Sequence, residues 1–378
     1  VIKKLGVVFT VALIALSAAP GAFALETLGK QVIIIDAKTN AVLFEKNADE
    51  LMPPSSMSKI MTIYRLFELL KDKRLSMGDT FRVSEKAWRK QGSKMFVSVN
   101  SRVKIEDLIR GIIVQSGNDA TIVVAEGIAG TESAFADELN ELAKRLGMNN
   151  STFRNASGWP DPEHQTTARD LAKLALATIQ NFPEYYKYYG EKTFTYNGIK
   201  QSNRNPAIYR NIGADGLKTG HTEAAGYGLT ASAERKGRRI ILVINGLPSK
   251  KARSTESERL IDWAFRTFGN YKLFSAGEQV TEAEVWLGNQ PKVSLVIEKE
   301  LELTLNRRVR RDMKVSVAYQ EPLPAPIRKG DTVAILKVEL PGQENMEIPL
   351  VAGEDVNRLG LFSRWGASLK YILLGKSG

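Results

Sequence analysis

Residues 53–62 read PPSSMSKIMT: two prolines, three serines, then a single lysine opening an apolar run. Residues i and i+3 share a helix face, so a helix starting near Ser56 sets Ser56 and Lys59 side by side. Two readings follow. One is a hydroxyl next to its base; the other is an ordinary capped helix with a solvated lysine. The same Ser-x-x-Lys spacing recurs at Ser101 and Lys104, so the surroundings have to decide.

Outward from this stretch the pattern alternates between strands and helices. Upstream, KQVIIIDAKTNAVLFEK predicts strands over Val32–Asp36 and Ala41–Glu45 around the turn Lys38-Thr39-Asn40. Downstream, Ile60, Ile63, Phe67 and Leu70 recur at helical spacing, and residues 104–130 carry a second apolar stripe. SAFADELNELAKRLG and TTARDLAKLALATI predict two more helices. YGLTASAERKGRRIILVING predicts two strands around Arg235-Lys236-Gly237, and STESERLIDWAFRTF a helix with Thr255 and Glu258 placed as a capping box. Strands at both ends with helices between them predict an α+β domain over 25–271, its antiparallel sheet uniting N- and C-terminal segments.

From 272 to 353 helical periodicity stops, and short alternating runs separated by Gly, Pro and Asn predict a small β-sandwich or barrel. Residues 354–378 stand apart. At about 100° per residue, Leu361, Phe362, Trp365, Leu369, Ile372 and Leu373 gather within an arc of roughly 120°. Arg358, Arg364, Lys370 and Lys376 accompany them without an acid after residue 355. The expectation is an amphipathic helix lying on a membrane surface; the alternative is a helix packed on the β domain.

Composition narrows the chemistry. The chain has 378 residues, no cysteine and two histidines, His164 and His221. A cysteine nucleophile, disulfides, thiolate sites and multi-imidazole metal sites are therefore excluded, and neither a metal nor a cofactor is expected. Residues 1–24 show a basic start at Lys3 and Lys4, an apolar stretch and Ala22-Phe23-Ala24, the pattern of a cleaved secretory signal. The formal charge is +11; without Lys3 and Lys4, 51 basic residues face 42 acidic ones, a net +9. For an exported chain this favours anionic lipid or wall polymer over nucleic acid.

Two further elements join the first. Ser116-Gly117-Asn118 interrupts an apolar helix with hydroxyl and amide groups, as a catalytic cleft requires. Lys218-Thr219-Gly220, on the edge of a predicted strand, offers a charge, a hydroxyl and an open backbone. Ser98-Val99-Asn100 repeats the middle spacing, so only the combination is informative.

In that order the three elements resemble the penicillin-recognising serine enzymes. SSMSKIMT, SGNDA, NASGWPDPEHQTTARDLA and DGLKTGHTEAAGYGL closely resemble the low-molecular-mass penicillin-binding proteins that act as D-alanyl-D-alanine carboxypeptidases, from about Glu26 to Leu374. The resemblance implies a serine β-lactamase-like catalytic fold. It implies Ser56 as nucleophile, Lys59 as general base and Ser116 as proton relay to the leaving amine. Asn118 would bind the substrate amide; Lys218, Thr219 and Arg204, beside Gly220, would hold its carboxylate. Backbone N–H groups of Ser56 and His221 would form the oxyanion hole, and Lys218 would help to keep Lys59 unprotonated. Implied partners are peptidoglycan stem peptides, β-lactams as covalent inhibitors, and a membrane surface on the periplasmic face of the inner membrane. Trp159 and Ser58 depart from the family pattern, which commonly has Leu and Thr there. His164 reads as a loop-ordering residue.

Two rivals are weaker. A class A β-lactamase needs a Glu in Glu-x-x-Leu-Asn, and ADELN has Ala136 in that place. A non-catalytic wall-binding protein need not retain the nucleophile or base, and both are present.

Overall fold

The computed structural model describes residues 25–341 and 345–360. The expected leader lies outside the described residues, as does the predicted C-terminal helix from 361 onward. The first strand, Gln31–Asp36, is buried along its whole length because its two faces pack into different cores. Ile33 and Ile35 join one apolar cluster with the helices, whereas Val32 and Ile34 join the other. That explains VIII without alternation: strands covered on both faces read as continuous apolar runs.

The sheet runs in the order Val42–Lys46, Gln31–Asp36, Arg238–Leu247, Gly226–Arg235, Ala214–Thr222, with every pairing antiparallel. It unites chain ends as expected and leaves Ala214–Thr222 on an edge. The helix Lys59–Lys71 buries Lys59 through Tyr64, then Leu66, Phe67, Leu69 and Leu70, so it is apolar on most of its circumference. Such a helix belongs in the interior rather than on the surface. Ile105–Ile113, Asn118–Ala129, Glu132–Arg145 and Ala168–Asn181 form the rest of that layer. Lys250–Thr267 covers the opposite face through Leu260, Ile261 and Ala264.

The helix start expected at Thr255 is corrected. The helix begins at Lys250, where Ser249 accepts the Ala252 N–H at 3.0 Å. Ser249 follows Pro248 in extended conformation and offers the first free capping side chain, while Lys250 to Arg253 propagate a helix readily.

The second unit is all β. A six-stranded sheet, ordered Lys314–Ala318, Thr332–Glu339, Met346–Ala352, Lys292–Val296, Gln279–Trp286, Leu323–Pro324, is joined by the ribbon Phe268–Phe274 with Leu301–Asn306. The division expected at 271/272 falls inside the ribbon's first strand, which follows Thr267 without a linker. The end of this unit also differs from expectation. Residues 354–360 are not helical: Val356 is fully buried and exchanges both backbone hydrogen bonds with Ile327, and Arg358 bridges to Gly288.

Candidate active site

Ser56 sits in the single 3₁₀ turn Ser55–Ser58 that feeds the buried helix, so Lys59 points back beside it. Lys59 Nζ lies 2.8 Å from Ser56 Oγ and donates to the Ser157 carbonyl at 2.7 Å. Its side chain is fully buried, and no carboxylate among the described residues forms an ion pair with it. Burial, then the charges of Arg204 and Lys90, bring its pKa down to about 7, against an opposing pull from Asp119. An ammonium without a counter-charge in low dielectric gives up its proton readily. With the amine neutral, the 2.8 Å contact lets the hydroxyl donate to the nitrogen lone pair. A hydroxyl so placed can act as an activated nucleophile.

The second element comes from a break between Ile105–Ile113 and Asn118–Ala129. Ser116 there adopts φ +59°, a left-handed conformation rare for serine, which turns its hydroxyl out of the helix line. Lys218 Nζ donates to Ser116 Oγ at 3.0 Å and to the Thr219 carbonyl at 3.2 Å, linking the second and third elements. Lys218 is buried as well, and its pKa is held far down by burial, then by Lys59, Arg204 and Arg253. The charges of Lys59 and Lys218 oppose each other, and Arg204 disfavours the charge on both.

Gly220 also has a different use from the one expected. A Cβ there would lie 2.9 Å from the Pro54 carbonyl oxygen and 3.1 Å from Ser55 Cβ. The missing side chain admits the protein's own nucleophile turn against the edge strand. Gly158 does likewise from the other side, where a Cβ would meet the Ser55 carbonyl oxygen at 1.8 Å. The turn is thus clamped between two glycines. Thr219 is buried next to it, and His221 is exposed with its ring stacked on Tyr227 at 3.9 Å.

Asn118 donates from Nδ2 to the Gln91 carbonyl at 2.9 Å, and Arg204 donates to Ser93 Oγ. Asn118 and Arg204 therefore both contact the 91–93 segment. The neighbouring Asp119 is fully buried and accepts the backbone N–H groups of Met95, Phe96 and Val97. It fixes the backbone that follows Ser93.

His164 orders a loop, as the sequence suggested. Its Nδ1 accepts the Arg154 N–H at 3.2 Å, so Nε2 carries the proton and donates to Ser58 Oγ at 2.5 Å. Burial brings its pKa down to about 4, Asp161 opposing and the Lys59 charge assisting. The imidazole is a neutral strut behind the nucleophile turn. An open cleft of about 530 Å³ lies alongside, bordered by Pro54, Ser55, Gly158, Trp159, His164 and Thr222.

The duplicate motifs are elsewhere. Ser101 Oγ donates to the Ser98 carbonyl at a hairpin end, Lys104 is exposed, and Asn100 accepts from Arg82. Sequence reasoning missed the Ser157 carbonyl, Ser93, Asp119 and the stacking of Lys90 on Trp159, 4.3 Å from Nζ to the ring centre. Asp119 alone had a local signal, an acid directly after the middle motif. Asn140, left over from the rejected β-lactamase pattern, exchanges two 2.8 Å hydrogen bonds with the backbone of Phe153 and is structural.

Known proteins resemble both units of the chain. A family model described as D-alanyl-D-alanine carboxypeptidase matches residues 18–249, and one described as penicillin-binding protein 5, C-terminal domain, matches residues 268–358. D-alanyl-D-alanine carboxypeptidase DacC of Escherichia coli (strain K12) is 36% identical over 361 residues, 92% of this chain and 90% of that protein. The crystal structure of penicillin-binding protein 5 from Haemophilus influenzae superposes with a TM-score of 0.78 at 34% identity, covering 89% of this chain and 100% of that one. D-alanyl-D-alanine carboxypeptidase DacD from Francisella tularensis gives a TM-score of 0.80 at 32% identity, covering 89% and 95%.

Proposed function

The chain belongs to the D-alanyl-D-alanine carboxypeptidase family, and from that premise we propose how its own residues release the terminal D-alanine of peptidoglycan pentapeptide stems. It is a serine-type hydrolase that β-lactams acylate. Ser56 Oγ attacks the penultimate D-alanine carbonyl while its proton passes to Lys59 Nζ. The oxyanion of the tetrahedral intermediate rests on the backbone N–H groups of Ser56 and His221, where fixed dipoles act without reorganisation. As the C–N bond breaks, Ser116 relays a proton to the departing amine. Lys218, Thr219 and Arg204 hold the substrate carboxylate, and Asn118 its amide. Water then attacks the acyl-enzyme with Lys59 again as base.

One observation carries this reading: an amine with a pKa of about 7 lies 2.8 Å from Ser56 Oγ in a buried site. A base whose pKa is near the working pH combines availability with proton-accepting strength. Ser56→Ala is expected to abolish labelling by a fluorescent penicillin and D-alanine release, with Ser101→Ala unaffected. Full labelling of the Ser56 variant would overturn the assignment. Rapid turnover of the label by the unmodified enzyme would favour a β-lactamase instead, and no labelling a non-catalytic binder.

The reading extends to location. The leader pattern of residues 1–24 supports export, and the apolar arc of 361–378 with its cations supports peripheral attachment to the periplasmic face of the inner membrane. The buried Val356 argues that a soluble form should end near Gly360, because ending it at Ala352 would open the β unit. A chain ending at Gly360 is expected to leave the membrane fraction and keep full activity on small peptides; continued pelleting with membranes would refute attachment through 361–378.

A further inference from the structure

A second cavity, of about 560 Å³, opens at the seam between the catalytic unit and the β unit. It borders the turn Arg235-Lys236-Gly237, at the end of strand Gly226–Arg235 remote from the cleft. At about 3.4 Å per residue that strand puts roughly 30 Å between the two. Lys38, Arg235, Lys236, Arg238, Arg266 and Arg307 line the cavity, with Glu302 as the one carboxylate.

Three of these cations are committed. Lys38 pairs with Glu302, Arg235 with Asp262 and Arg238 with Asp36. Arg235 and Arg238 lie 4.7 and 5.7 Å from the Phe265 ring centre, which keeps both guanidinium groups in place. The other three, Lys236, Arg266 and Arg307, are exposed, and no carboxylate among the described residues pairs with them. Arg310 adds a further cation, 4.1 Å from the ring of Tyr271 on the cavity wall. Arg238 Nη2 is buried without a hydrogen-bond partner among the described residues. Converging like charges repel, so a cavity lined in this way carries a positive potential that a bound anion relieves. Three unpaired cations call for more charge than one carboxylate brings, and arginine forks suit the oxygens of a phosphoryl group.

We propose that this seam cavity is a binding site for a phosphoryl-bearing polyanion, separate from the catalytic cleft. The test uses full-length enzyme and inorganic pyrophosphate, titrated by calorimetry at low salt. Saturable binding at one site is expected, weakened at least tenfold by Lys236→Gln/Arg266→Gln/Arg307→Gln. D-alanine release from a small peptide should be unchanged, because none of the three is near the cleft. A control with the same charge change, Lys73→Gln/Lys200→Gln/Lys329→Gln, should bind as the unmodified enzyme does.

Vesicles containing phosphatidylglycerol identify the source of the phosphate. Vesicle affinity lost in the seam variant together with pyrophosphate binding means a lipid headgroup. Unchanged vesicle affinity with pyrophosphate binding lost means a soluble or polymer-borne phosphate. Either supports the site. No saturable pyrophosphate binding, or an equal loss in the control variant, overturns it.

Discussion

Up to Ser257 the molecule buries Asp36, Lys59, Thr62, Gln115, Ser116, Asp119, His164 and Lys218 among other polar groups, whereas from Phe268 onward no polar or charged side chain among the described residues is buried. The β unit closes around Ala283, Leu295, Leu336, Leu350 and similar side chains. Its stability is that of an ordinary apolar core, roughly 25 cal/mol for each Å² removed from water. The catalytic unit holds two uncompensated lysines in its interior, which costs stability and creates reactivity. One unit is built to do chemistry and the other to hold shape, and substitutions should separate them.

The largest separation should come from Lys59→Met. Penicillin acylation is expected to fall about 10²- to 10⁴-fold, the usual contribution of a positioned general base. Stability should move the other way in acid. The folded-state pKa of about 7 lies below the ordinary 10.5, so the unfolded chain binds more protons between those values. The unmodified protein must therefore gain stability as pH rises from about 7 to 10.5, and the methionine variant should keep only the part of that slope that the likewise depressed Lys218 contributes. Urea unfolding across that range checks it; identical slopes would mean that Lys59 is not uncharged in the folded site at neutral pH.

Leu336→Ala probes the other side. Leu336 is fully buried in the β core, and truncation should cost about 2–5 kcal/mol. Calorimetry should show that unit melting earlier while kcat/KM on a small peptide stays constant. A parallel loss of activity would mean that the catalytic unit depends on its neighbour.

The smallest effect is expected for Lys218→Gln. A hydrogen bond to a charged group contributes about 1.5–3 kcal/mol, so kcat/KM should fall about 10- to 100-fold on a free-carboxylate D-Ala-D-Ala peptide. Its C-terminal amide should lose much less. Equal losses would assign Lys218 to the Ser116 contact instead of to carboxylate recognition. Because Lys218 is depressed by burial and neighbouring cations, carboxylate binding should also draw in a proton, measurable by calorimetry in buffers of different ionisation enthalpy.

The two units were also unequally legible. The three motifs name their residues because each needs fixed local spacing: Ser56 and Lys59 one helical turn apart, Ser116 and Asn118 about a helix break, Lys218 to Gly220 on a strand edge. The β strands could be read from alternation, since each run carries its own pattern. Contacts between distant segments could not. Nothing near Ser157 marks its carbonyl as the second acceptor for Lys59, and Gly220 reads as a substrate feature because the turn at Pro54 and Ser55 that packs against it is distant in sequence. The seam is hard to place from sequence because Phe268–Phe274 follows the helix without a linker and finds its strand partner only at Leu301–Asn306. The start of the helix Lys250–Thr267 is hidden in the sequence because Thr255 and Glu258 satisfy a capping pattern that Ser249 pre-empts.

That seam has a mechanical meaning. The helix Lys250–Thr267 runs into a strand without a spacer. Arg238 grips the carbonyl of Phe268 at 2.9 Å, Asn270 donates to Asp36 at 3.1 Å, and Thr39 meets Thr304 at 2.5 Å. A joint pinned on several sides resists bending and twisting, so the β unit acts as a rigid strut instead of a tether. Under the attachment proposed above, the length of the strut would set the height at which the cleft meets its substrate. Lengthening the strut would change which layer of the wall polymer is trimmed without altering a single catalytic atom.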